Sequence, residues 1–322
     1  MNSFPSAKII LDRSVATREE WLALHDQHLG ASDAGAIMGL SKYQTPLSTY
    51  VTKKGLQPHQ DDNDFMKWGR LLEDLVRREF PTDYYQKEGK SVDVFECPFM
   101  YESTENPFMC VDPDGFVTIG SFGEGRRGLL EIKTTTRANA KYWKDDQVPD
   151  QYYAQCQHGM YVLDLSFTLI VCLMDKTLLW RTVPAKRVFM SEMVKLEKRF
   201  WNDFYLAGEM PGPSGQDTDT DLLLELYPRA EDVTVDLGDL WNVERYLALK
   251  EEIAAKEKEQ ELAKQQIIQL MGVAHRAVAG EHKVSRVQFK KPVFDISLFK
   301  RDHPKLVEKY TGFTSVDYPR IS

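Results

Sequence analysis

The chain has 322 residues, of which 42% are hydrophobic and 28% are charged, as in an ordinary globular protein. No run of about 18 apolar residues is present and the N-terminus lacks the apolar core of a signal peptide, so we expect a cytoplasmic protein without a membrane span. The net charge of −8 argues against a surface coated with nucleic acid, but it leaves room for a local basic groove.

The four cysteines lie far apart in apolar segments and form no CxxC pair. This spacing predicts buried free thiols rather than disulfides or a zinc site. The four are Cys97, Cys110, Cys156 and Cys172.

The first part of the chain is predicted to be a loose lead-in, over residues 1–17, followed by helices. Residues 18–27 have apolar side chains at helical spacing. In the segment LGASDAG, Ser32 is a good N-cap for a helix that would end at Gly39. The free N–H groups at such a helix start would suit an anion, although a structural cap explains the same residues. The Thr45-Pro46 pair opens a further short helix.

The clearest helix is predicted over residues 64–80, because apolar side chains recur there on one stripe. Glu73 lies at the edge of that stripe, one turn after Gly69. Side chains on a helix lean toward its N-terminus, so the small Gly69 would leave space beside the Glu73 carboxylate. Glu73 is therefore a candidate acid of a site, with a surface ion pair to Arg77 as the alternative.

Residues 109–136 are predicted to form two β-strands joined by a Gly-rich loop. Asp114, Glu131 and Lys133 lie within these otherwise apolar strands. Buried acids are costly unless something cationic compensates them, so they indicate function. Glu131 and Lys133 are two residues apart and share one face of their strand, which Asp114 on the neighbouring strand would reach. Asp112 has the same parity as Asp114 and is the alternative acid.

These residue types suit the hydrolysis of a phosphodiester with a bound Mg²⁺, or with Mn²⁺ in its place. Two carboxylates and the backbone carbonyl of Ile132 would supply oxygen ligands. The metal would polarise the phosphate and lower the pKa of a bound water molecule. Lys133 would orient that water or stabilise the developing negative charge. A hairpin with an edge salt bridge is the structural alternative.

The segment after the hairpin is predicted to complete an α/β domain. Residues 149–163 are expected to form a helix with Gln155 on the flank of its apolar stripe. Residues 166–175 and 178–183 are predicted strands, and a long amphipathic helix follows over residues 187–206.

Three regions are expected along the chain. Residues 1–210 would form an α/β core with a central mixed sheet flanked by helices. A composition rich in Pro, Gly and polar residues marks residues 211–238 as a linker. Residues 239–322 would be a C-terminal extension with a long charged helix, a strand and a basic, aromatic tail.

Five motifs follow one another between residues 18 and 208. They are Leu29-Gly-Ala-Ser-Asp-Ala, Trp68-Gly-Arg-Leu-Leu-Glu73, Asp112-Pro-Asp-Gly-Phe, Leu130-Glu-Ile-Lys-Thr-Thr and Tyr153-Ala-Gln-Cys-Gln-His-Gly-Met160. The ordered set is much more specific than any one motif. It resembles the YqaJ-type viral recombinases, a branch of the PD-(D/E)xK nucleases that includes lambda exonuclease.

The resemblance implies an enzyme, a metal-dependent deoxyribonuclease. Its expected activity is that of a 5′→3′ exonuclease, which resects double-stranded DNA and leaves a 3′ single strand for homologous recombination. Expected partners are double-stranded DNA ends, a single-strand annealing protein and further copies of the chain in a ring, with a trimer favoured. The gene would belong to a phage or prophage, and the protein would act in the cytoplasm of the bacterial host.

The resemblance also implies roles for individual residues. It favours Asp114 over Asp112 as a metal ligand, and it places Ser32 at the 5′-phosphate of the DNA. The other matched positions are Glu73 and Glu131 as metal-binding acids, Lys133 as the catalytic lysine and Gln155 beside the attacking water.

At one position the chain departs from the family pattern. An Arg about seven residues before the helix-start Ser commonly helps to bind the 5′-phosphate, and His25 stands there in this chain. His28 or Arg18 would be the substitutes. The loop of the hairpin is also long, and Arg126 and Arg127 are candidates for contact with the DNA backbone.

Three other interpretations stay open. The same fold could serve an endonuclease or a single-strand nuclease of the Cas4 kind, whose iron–sulfur cluster the cysteine spacing does not fit. A DNA-binding module with a degenerate site is the second, against which the intact set of Asp114, Glu131 and Lys133 argues. The third is an interaction protein that acts through its long charged helix.

Overall fold

The computed structural model describes residues 3–57, 64–120, 125–228, 233–236, 238 and 241–312. The chain divides into two compact units, Met1–Pro228 and Arg229–Ser322. Within the described residues, no helix is long and apolar enough to cross a membrane. All four cysteines are buried free thiols, as their spacing predicts.

The strands of the first unit form two sheets. They are β1 (Ala7–Asp12), β2 (Val92–Phe95), β3 (Phe99–Ser103), β4 (Cys110–Val111), β5 (Gly115–Ile119), β6 (Arg126–Thr135), β7 (Phe167–Met174) and β8 (Thr177–Pro184). The larger sheet has the order β2-β5-β6-β7-β8, and the smaller one has the order β1-β3-β4. Within the larger sheet β6 and β7 run parallel, whereas the other neighbours run antiparallel. The larger sheet is therefore mixed.

Helices pack on both faces of the larger sheet. The α-helices described in the first unit are α1 (Arg18–Asp26), α2 (Ala31–Ile37), α3 (Pro46–Lys53), α4 (Asp64–Glu88), α5 (Asp150–Leu163), α6 (Arg187–Arg199) and α7 (Asp217–Leu226). On one face, Val76 of α4 packs with Leu130 and Ile132 of β6. On the other face, Leu129 of β6 packs with Ala154 of α5. The predicted α/β core with a central mixed sheet flanked by helices is confirmed.

The alternation of side chains along β6 determines where its polar residues point. Odd-numbered residues share the face that α5 covers, because successive side chains of a strand point to opposite faces. Glu131 and Lys133 therefore point toward α5. A 3-10 stretch, Arg137–Trp143, leads from β6 to α5, and α5 in turn leads to β7.

The predicted hairpin of residues 109–136 is present as β5 and β6, and residues 121–124 of its loop lie outside the described residues. The N-terminal segment differs from prediction. The expected loose lead-in, residues 1–17, contains β1, which pairs with β3. Pairing with a distant strand stabilises β1, and the local periodicity of the sequence carries no information about that pairing.

The helix predicted over residues 64–80 continues to Glu88 and passes through Pro81. A proline inside a helix is costly, but packing beyond it favours the extra turns. The Tyr84 ring is buried and lies 5.5 Å from the ring of Phe80 and 5.6 Å from that of Trp180.

The predicted linker, residues 211–238, contains helix α7. Asp219 of α7 is buried and accepts hydrogen bonds from Thr45 Oγ1 at 2.5 Å and from Ser214 N at 2.6 Å. Leu222 and Leu223 pack against the cluster that includes Leu47 of α3. Residues 211–228 are thus part of the first unit, because these long-range contacts outweigh the turn-rich composition of the segment.

The second unit contains three helices and one hairpin within its described residues. They are α8 (Trp241–Met271), β9 (Arg276–Ala279), β10 (His282–Ser285), α9 (Ile296–Asp302) and α10 (Pro304–Tyr310). The long charged helix and a strand are present as predicted, while two short helices occur in the predicted tail. Residues 313–322 of that tail lie outside the described residues.

Candidate active site

A cluster of acidic side chains lies where β5 and β6 meet. Asp114 immediately precedes β5, and its Oδ2 atom accepts a hydrogen bond from the N–H of Ile132 at 2.7 Å. The ladder between the two strands ends at the pair of Gly115 and Leu130. The Asp114 carboxylate therefore serves as the acceptor for a β6 amide beyond the end of the ladder.

The Glu131 carboxylate of β6 contacts two donors on the face of the larger sheet that α5 covers. Lys133 Nζ lies 2.6 Å from Glu131 Oε1, and Gln155 Nε2 donates to the same oxygen at 2.7 Å. The Glu131 residue is only 6% exposed. The structure thus brings together an acid, a lysine and an amide that the sequence predicts for one site.

The electrostatics of the cluster are dominated by burial and by carboxylates that repel one another. Burial, followed by the charge of Asp114, raises the pKa of Glu73 to about 7. Burial raises the pKa of Glu131 to about 7 as well, although Lys133 opposes the shift. The pKa of Asp114 is also raised by burial, against the effect of Lys133. Burial alone would lower the pKa of Lys133, but Glu131 and Asp114 raise it, so this ammonium group stays charged.

The acids do not form a ready-made coordination sphere. Within the described part of the chain, no three His, Cys, Asp or Glu side chains are arranged as a metal site. The chemistry of the donors nevertheless fits Mg²⁺ or Mn²⁺, which take oxygen ligands. Glu73, Asp114 and Glu131 all have raised pKa values, so a divalent cation beside them would relieve their repulsion.

The Ile132 carbonyl fits the same donor set. The N–H and C=O of one strand residue point to the same side of the strand. The Ile132 N–H points to Asp114, so its carbonyl also faces the side on which β5 has ended. The residues that would hold a cation are therefore Glu73, Asp114, Glu131 and the Ile132 carbonyl.

The two candidate aspartates, Asp112 and Asp114, have different contacts. Asp112 Oδ1 lies 2.7 Å from Arg13 Nε, and Asp112 Oδ2 accepts a hydrogen bond from Trp21 Nε1 at 2.8 Å. Its carboxylate thus contacts residues of the N-terminal region, whereas that of Asp114 contacts β6. Burial raises the pKa of Asp112, and Arg13 opposes that shift.

Two arginines beside the cluster were missed by sequence reasoning. Arg77 does not simply pair with Glu73: its Nε donates to the carbonyl of Asp114 at 3.1 Å, and its Nη1 lies 2.5 Å from Asp74 Oδ1. Arg13 follows β1 and reaches the segment before β5. No local pattern marks the contacts of these arginines with Pro113 and Asp114, because those contacts join elements far apart in the chain.

A cavity of about 750 Å³ lies beside the cluster, with Asp112 in its wall. The two acids in its wall are paired, Asp33 with Lys53 Nζ at 2.8 Å and Asp112 with Arg13. Although burial opposes it, Lys53 keeps the pKa of Asp33 below its usual value. Arg13, Arg18, Lys53 and Arg70 line the cavity together with these two acids, so the formal charge of its wall is positive and suits an anion.

Ser32 and His25 both line this cavity, but Ser32 is not the helix cap that the sequence suggests. The N-cap of α2 is Gly30, and Ser32 is an exposed residue in the first turn. His25 stacks on Trp21 with ring centroids 4.8 Å apart. His28 points elsewhere, since its ring nitrogens contact the Leu24 carbonyl and Glu102.

The structure does not bring Arg126 and Arg127 to the carboxylate cluster. They precede Glu131 by five and four residues, and a strand rises about 3.3 Å per residue, so they lie roughly 13 Å or more away along β6. The Arg127 guanidinium lies over the rings of Phe4 and Phe116, at 4.5 and 4.2 Å from their centroids. Contact of these two arginines with the DNA backbone stays a prediction.

The chain is similar to several known proteins. Residues 20–166 match the family model of the YqaJ-like viral recombinase domain. The chain is 26% identical over 310 residues to the uncharacterized protein YqaJ of Bacillus subtilis strain 168, covering 94% of this chain and 93% of that protein.

Two solved structures share a more distant likeness. An alkaline exonuclease from Laribacter hongkongensis is 16% identical, with a TM-score of 0.43 over 65% of this chain and 98% of that chain. A phage-related exonuclease from Haemophilus somnus 129PT is 12% identical, with a TM-score of 0.39 over 59% of this chain and 100% of that chain.

The segment matched by the family model contains the motifs that the sequence singled out, from Ser32 and Glu73 to Gln155. It also contains every residue of the carboxylate cluster described above. Residues 20–166 are therefore similar to the YqaJ-like viral recombinase domain, and the chain is homologous to YqaJ of Bacillus subtilis over most of its length.

Proposed function

We propose that this chain is a divalent-metal-dependent nuclease that degrades linear double-stranded DNA from its 5′ ends and leaves 3′ single strands. The observation that carries the proposal is the cluster in which the ammonium group of Lys133 lies 2.6 Å from Glu131 and interacts electrostatically with Asp114 and Glu73. The similarity of residues 20–166 to the YqaJ-like viral recombinase domain supports a role in DNA recombination.

Each residue of the cluster has a distinct task in this proposal. A bound Mg²⁺ would polarise the scissile phosphate and lower the pKa of the attacking water. Lys133 stays protonated beside Glu131, so it stabilises the negative charge that develops on the phosphate. Gln155 donates to Glu131 and fixes the orientation of that carboxylate. Asp114 and Glu73 complete the oxygen ligands.

The cationic cavity supports the preference for a 5′ end. Its lining includes Ser32, His25 and Arg18, and its wall at Asp112 is two residues from Asp114. A terminal phosphate bound there would place the first phosphodiester bonds next to the acids. The exposed hydroxyl of Ser32 is available as a hydrogen-bond donor to such a phosphate.

The proposal extends to the assembly that acts on DNA. We expect a homo-oligomeric ring, with a trimer favoured, that hands the 3′ strand to a single-strand annealing protein. A ring suits the net charge of −8, because only its inner surface needs to be basic. The gene would be of phage or prophage origin.

Digestion of linear duplex DNA labelled at the 5′ or the 3′ end tests the activity. With Mg²⁺ we expect nucleotide release from the 5′ strand, and none when EDTA is present. Lys133→Ala should abolish release. Lys195→Ala is the matched control, because Lys195 forms only an exposed ion pair with Glu192.

Three results would contradict this proposal in different ways. Equal cutting of closed circular DNA would indicate an endonuclease. Release from 3′ ends would reverse the direction. No cleavage with Mg²⁺ or Mn²⁺ would favour a non-catalytic DNA-binding module.

The role of Ser32 has its own test. Ser32→Ala should lower the ratio of the rate on 5′-phosphorylated ends to the rate on 5′-hydroxyl ends, because a donor to the terminal phosphate is lost. Ser14→Ala is the control, since that hydroxyl donates to Asp12 instead. An unchanged ratio would remove Ser32 from the end-binding site.

A further inference from the structure

Arg13 connects three separate parts of the chain through one guanidinium group. Its Nη2 donates to the carbonyls of Cys97 and Pro113, the latter at 2.8 Å. Its Nε lies 2.7 Å from Asp112 Oδ1. Its own backbone N–H donates to the carbonyl of Pro98 at 2.7 Å, so side chain and backbone are anchored to the same loop between β2 and β3.

These contacts restrain the two residues that precede Asp114. The Pro113 carbonyl belongs to the peptide group that joins Pro113 to Asp114, so a hydrogen bond to it fixes the plane of that peptide. The Asp112 carboxylate is fixed on its other oxygen by Trp21. Arg77 donates to the Asp114 carbonyl on the following peptide. Asp114 is thus restrained by arginines on both sides, while its carboxylate faces β6.

The geometry gives Asp112 a task different from that of Asp114. The Asp112 carboxylate binds a guanidinium and an indole N–H, both of which would have to be displaced before it could bind a metal. The Asp114 carboxylate accepts one backbone N–H. Asp112 therefore has the surroundings of an anchor, and Asp114 has those of a ligand.

Lysine could not replace Arg13 in this arrangement. A guanidinium presents several N–H donors in a fixed plane, whereas an ammonium group is a point charge on a flexible stem. The Nη2 of Arg13 donates to carbonyls from two segments, while its Nε lies beside the Asp112 carboxylate. The substitution Arg13→Lys would keep the charge and lose the orientation.

We propose that Arg13 is a positioning residue that holds Asp114 in place for metal binding, and that Asp112 is its anchor rather than a metal ligand. This inference rests on the proposed nuclease function. Residues that support metal ligands in this way typically change metal affinity about 10-fold or more when they are replaced.

Titration of the full chain with Mn²⁺, followed by the EPR signal of free Mn²⁺, measures this role without DNA. In Arg13→Lys we expect the Kd for Mn²⁺ to rise about 10-fold. Asp112→Asn should raise it less than Asp114→Asn, which removes a ligand and should abolish binding at this site. If Arg13→Lys does not fold, the Kd of Asp112→Asn for Mn²⁺ still tests whether Asp112 is an anchor or a ligand.

Arg181→Lys is the matched control. Arg181 likewise donates to two backbone carbonyls, those of Trp180 and Trp143, and its Nε lies 3.1 Å from Asp146 Oδ1. It belongs to β8, two strands away from β6. Its replacement should leave the Kd for Mn²⁺ unchanged.

Nuclease assays at increasing Mg²⁺ separate positioning from a structural effect. If Arg13 positions Asp114, excess Mg²⁺ should restore the cleavage rate of the Arg13→Lys variant to most of the rate of the unmodified protein. The KM for DNA should be the same in both proteins. A rate that is low at every Mg²⁺ concentration, together with a lower Tm, would overturn the inference. A change confined to the KM for DNA and its salt dependence would also overturn it, because Arg13 would then contact a phosphate.

The remaining outcomes distinguish this inference from the proposed function. Normal Mn²⁺ binding in Arg13→Lys, in a chain that cuts DNA, would refute only the positioning role. Loss of Mn²⁺ binding in Asp112→Asn as complete as in Asp114→Asn would refute the anchor role. An unmodified chain that neither binds Mn²⁺ nor cuts DNA would refute the proposed function and the inference with it.

Discussion

Glu73 and Glu131 share a buried region with Asp114, and the pKa of each glutamate is about 7. A carboxyl group whose pKa is raised in the folded protein stabilises that state while it is protonated. Its contribution is lost as the pH rises through the range from its usual pKa to about 7. Divalent metal binds the ionised carboxylates, so it should offset this loss where they are ionised.

Mg²⁺ should therefore raise the Tm more at about pH 8 than at about pH 6, where Glu73 and Glu131 are mostly protonated and the metal must displace protons. Thermal unfolding with and without Mg²⁺ at the two pH values measures the difference. Glu73→Gln removes one of the two groups and should reduce the dependence on pH. An equal Mg²⁺ effect at both pH values would contradict the assigned ligands.

A second buried pair ties α5 to α6 and to β4. The two ring nitrogens of His158 lie 2.9 Å from Glu197 Oε1 and 2.9 Å from the carbonyl of Cys110. Both partners are acceptors, so the ring donates from both nitrogens and is protonated. Burial opposes the charge, but Glu197 raises the pKa of His158 above its usual value.

His158→Gln should cost roughly 3–5 kcal/mol in the free energy of unfolding, since it leaves Glu197 as a buried charge without its cationic partner. Urea unfolding measures the cost. The stabilisation is complete below the unfolded-state pKa of about 6.5 and disappears as the pH rises through the raised pKa, so the cost should shrink in alkaline buffer. Lys195→Ala breaks an exposed pair and should cost less than about 1 kcal/mol. Similar costs for both variants would argue against a charged pair.

At the scale of single residues, the sequence identifies the polar side chains that β6 and α5 contribute to the site. Glu131 and Lys133 follow from strand parity, and Gln155 follows from its place on a helix after that strand. Arg13 could not be predicted, because its partners Asp112 and Pro113 are about a hundred residues away and depend on two sheets meeting. Ser32 was assigned to the wrong position of its helix, since Gly30 provides the extended backbone of the N-cap.

At the scale of elements, the fit of α5 against β6 depends on a glycine. A Cβ atom at Gly159 would lie 2.7 Å from Leu129 Cδ2 and 3.3 Å from Val111 Cγ2, both of which are buried. The helix can approach the sheet this closely only without a side chain at residue 159. The distance from Gln155 to Glu131 depends on the same approach.

Gly159→Ala should therefore destabilise the protein by about 1–3 kcal/mol and weaken Mn²⁺ binding, because it pushes α5 away from the sheet. Gly69→Ala is the matched control in another helix. A Cβ atom there would meet only Thr134 Oγ1, at 3.7 Å, so helix propensity should make the variant neutral or more stable by roughly 0.5–1 kcal/mol. Urea unfolding compares the two variants, and Mn²⁺ titration of Gly159→Ala measures the effect on the site. Equal effects would show that the close approach does not matter.

The elements that the sequence predicts well are those with strong local periodicity. α5, β7 and the hairpin of β5 and β6 lie close to their predicted bounds. The errors are β1 and α7. In both, the deciding contact joins segments far apart, such as Thr45 with Asp219, and composition in a short window carries no information about such a contact.

At the scale of the whole molecule, the first unit contains all residues assigned to the site. It ends at Pro228 rather than near residue 210, because α7 packs on the cluster that includes Leu47 and Phe200. A chain that ends at Pro228 keeps these contacts. A chain that ends at Met210 loses α7 and exposes apolar surface.

We expect the chain of residues 1–228 to fold alone and to bind Mn²⁺ with a Kd within about twofold of that of the full chain, as an independent domain would. The chain of residues 1–210 should unfold at a lower temperature. Thermal unfolding and Mn²⁺ titration of both chains provide the comparison. A truncated 1–228 chain that aggregates, or two truncated chains of equal stability, would contradict this division of the molecule.

The crossover between β6 and β7 has a consequence for how the protein is made. The ribosome completes residues 13, 73 and 114 first, but Gln155 emerges only with α5, and β6 can pair with β7 only after that helix. Parallel pairing forms slowly, because the loop entropy of a long connection must be overcome first. The carboxylates and the amide that orients one of them therefore meet only in a nearly finished fold. A nascent or misfolded chain has no assembled site, so any DNA cleavage would begin only once folding is complete.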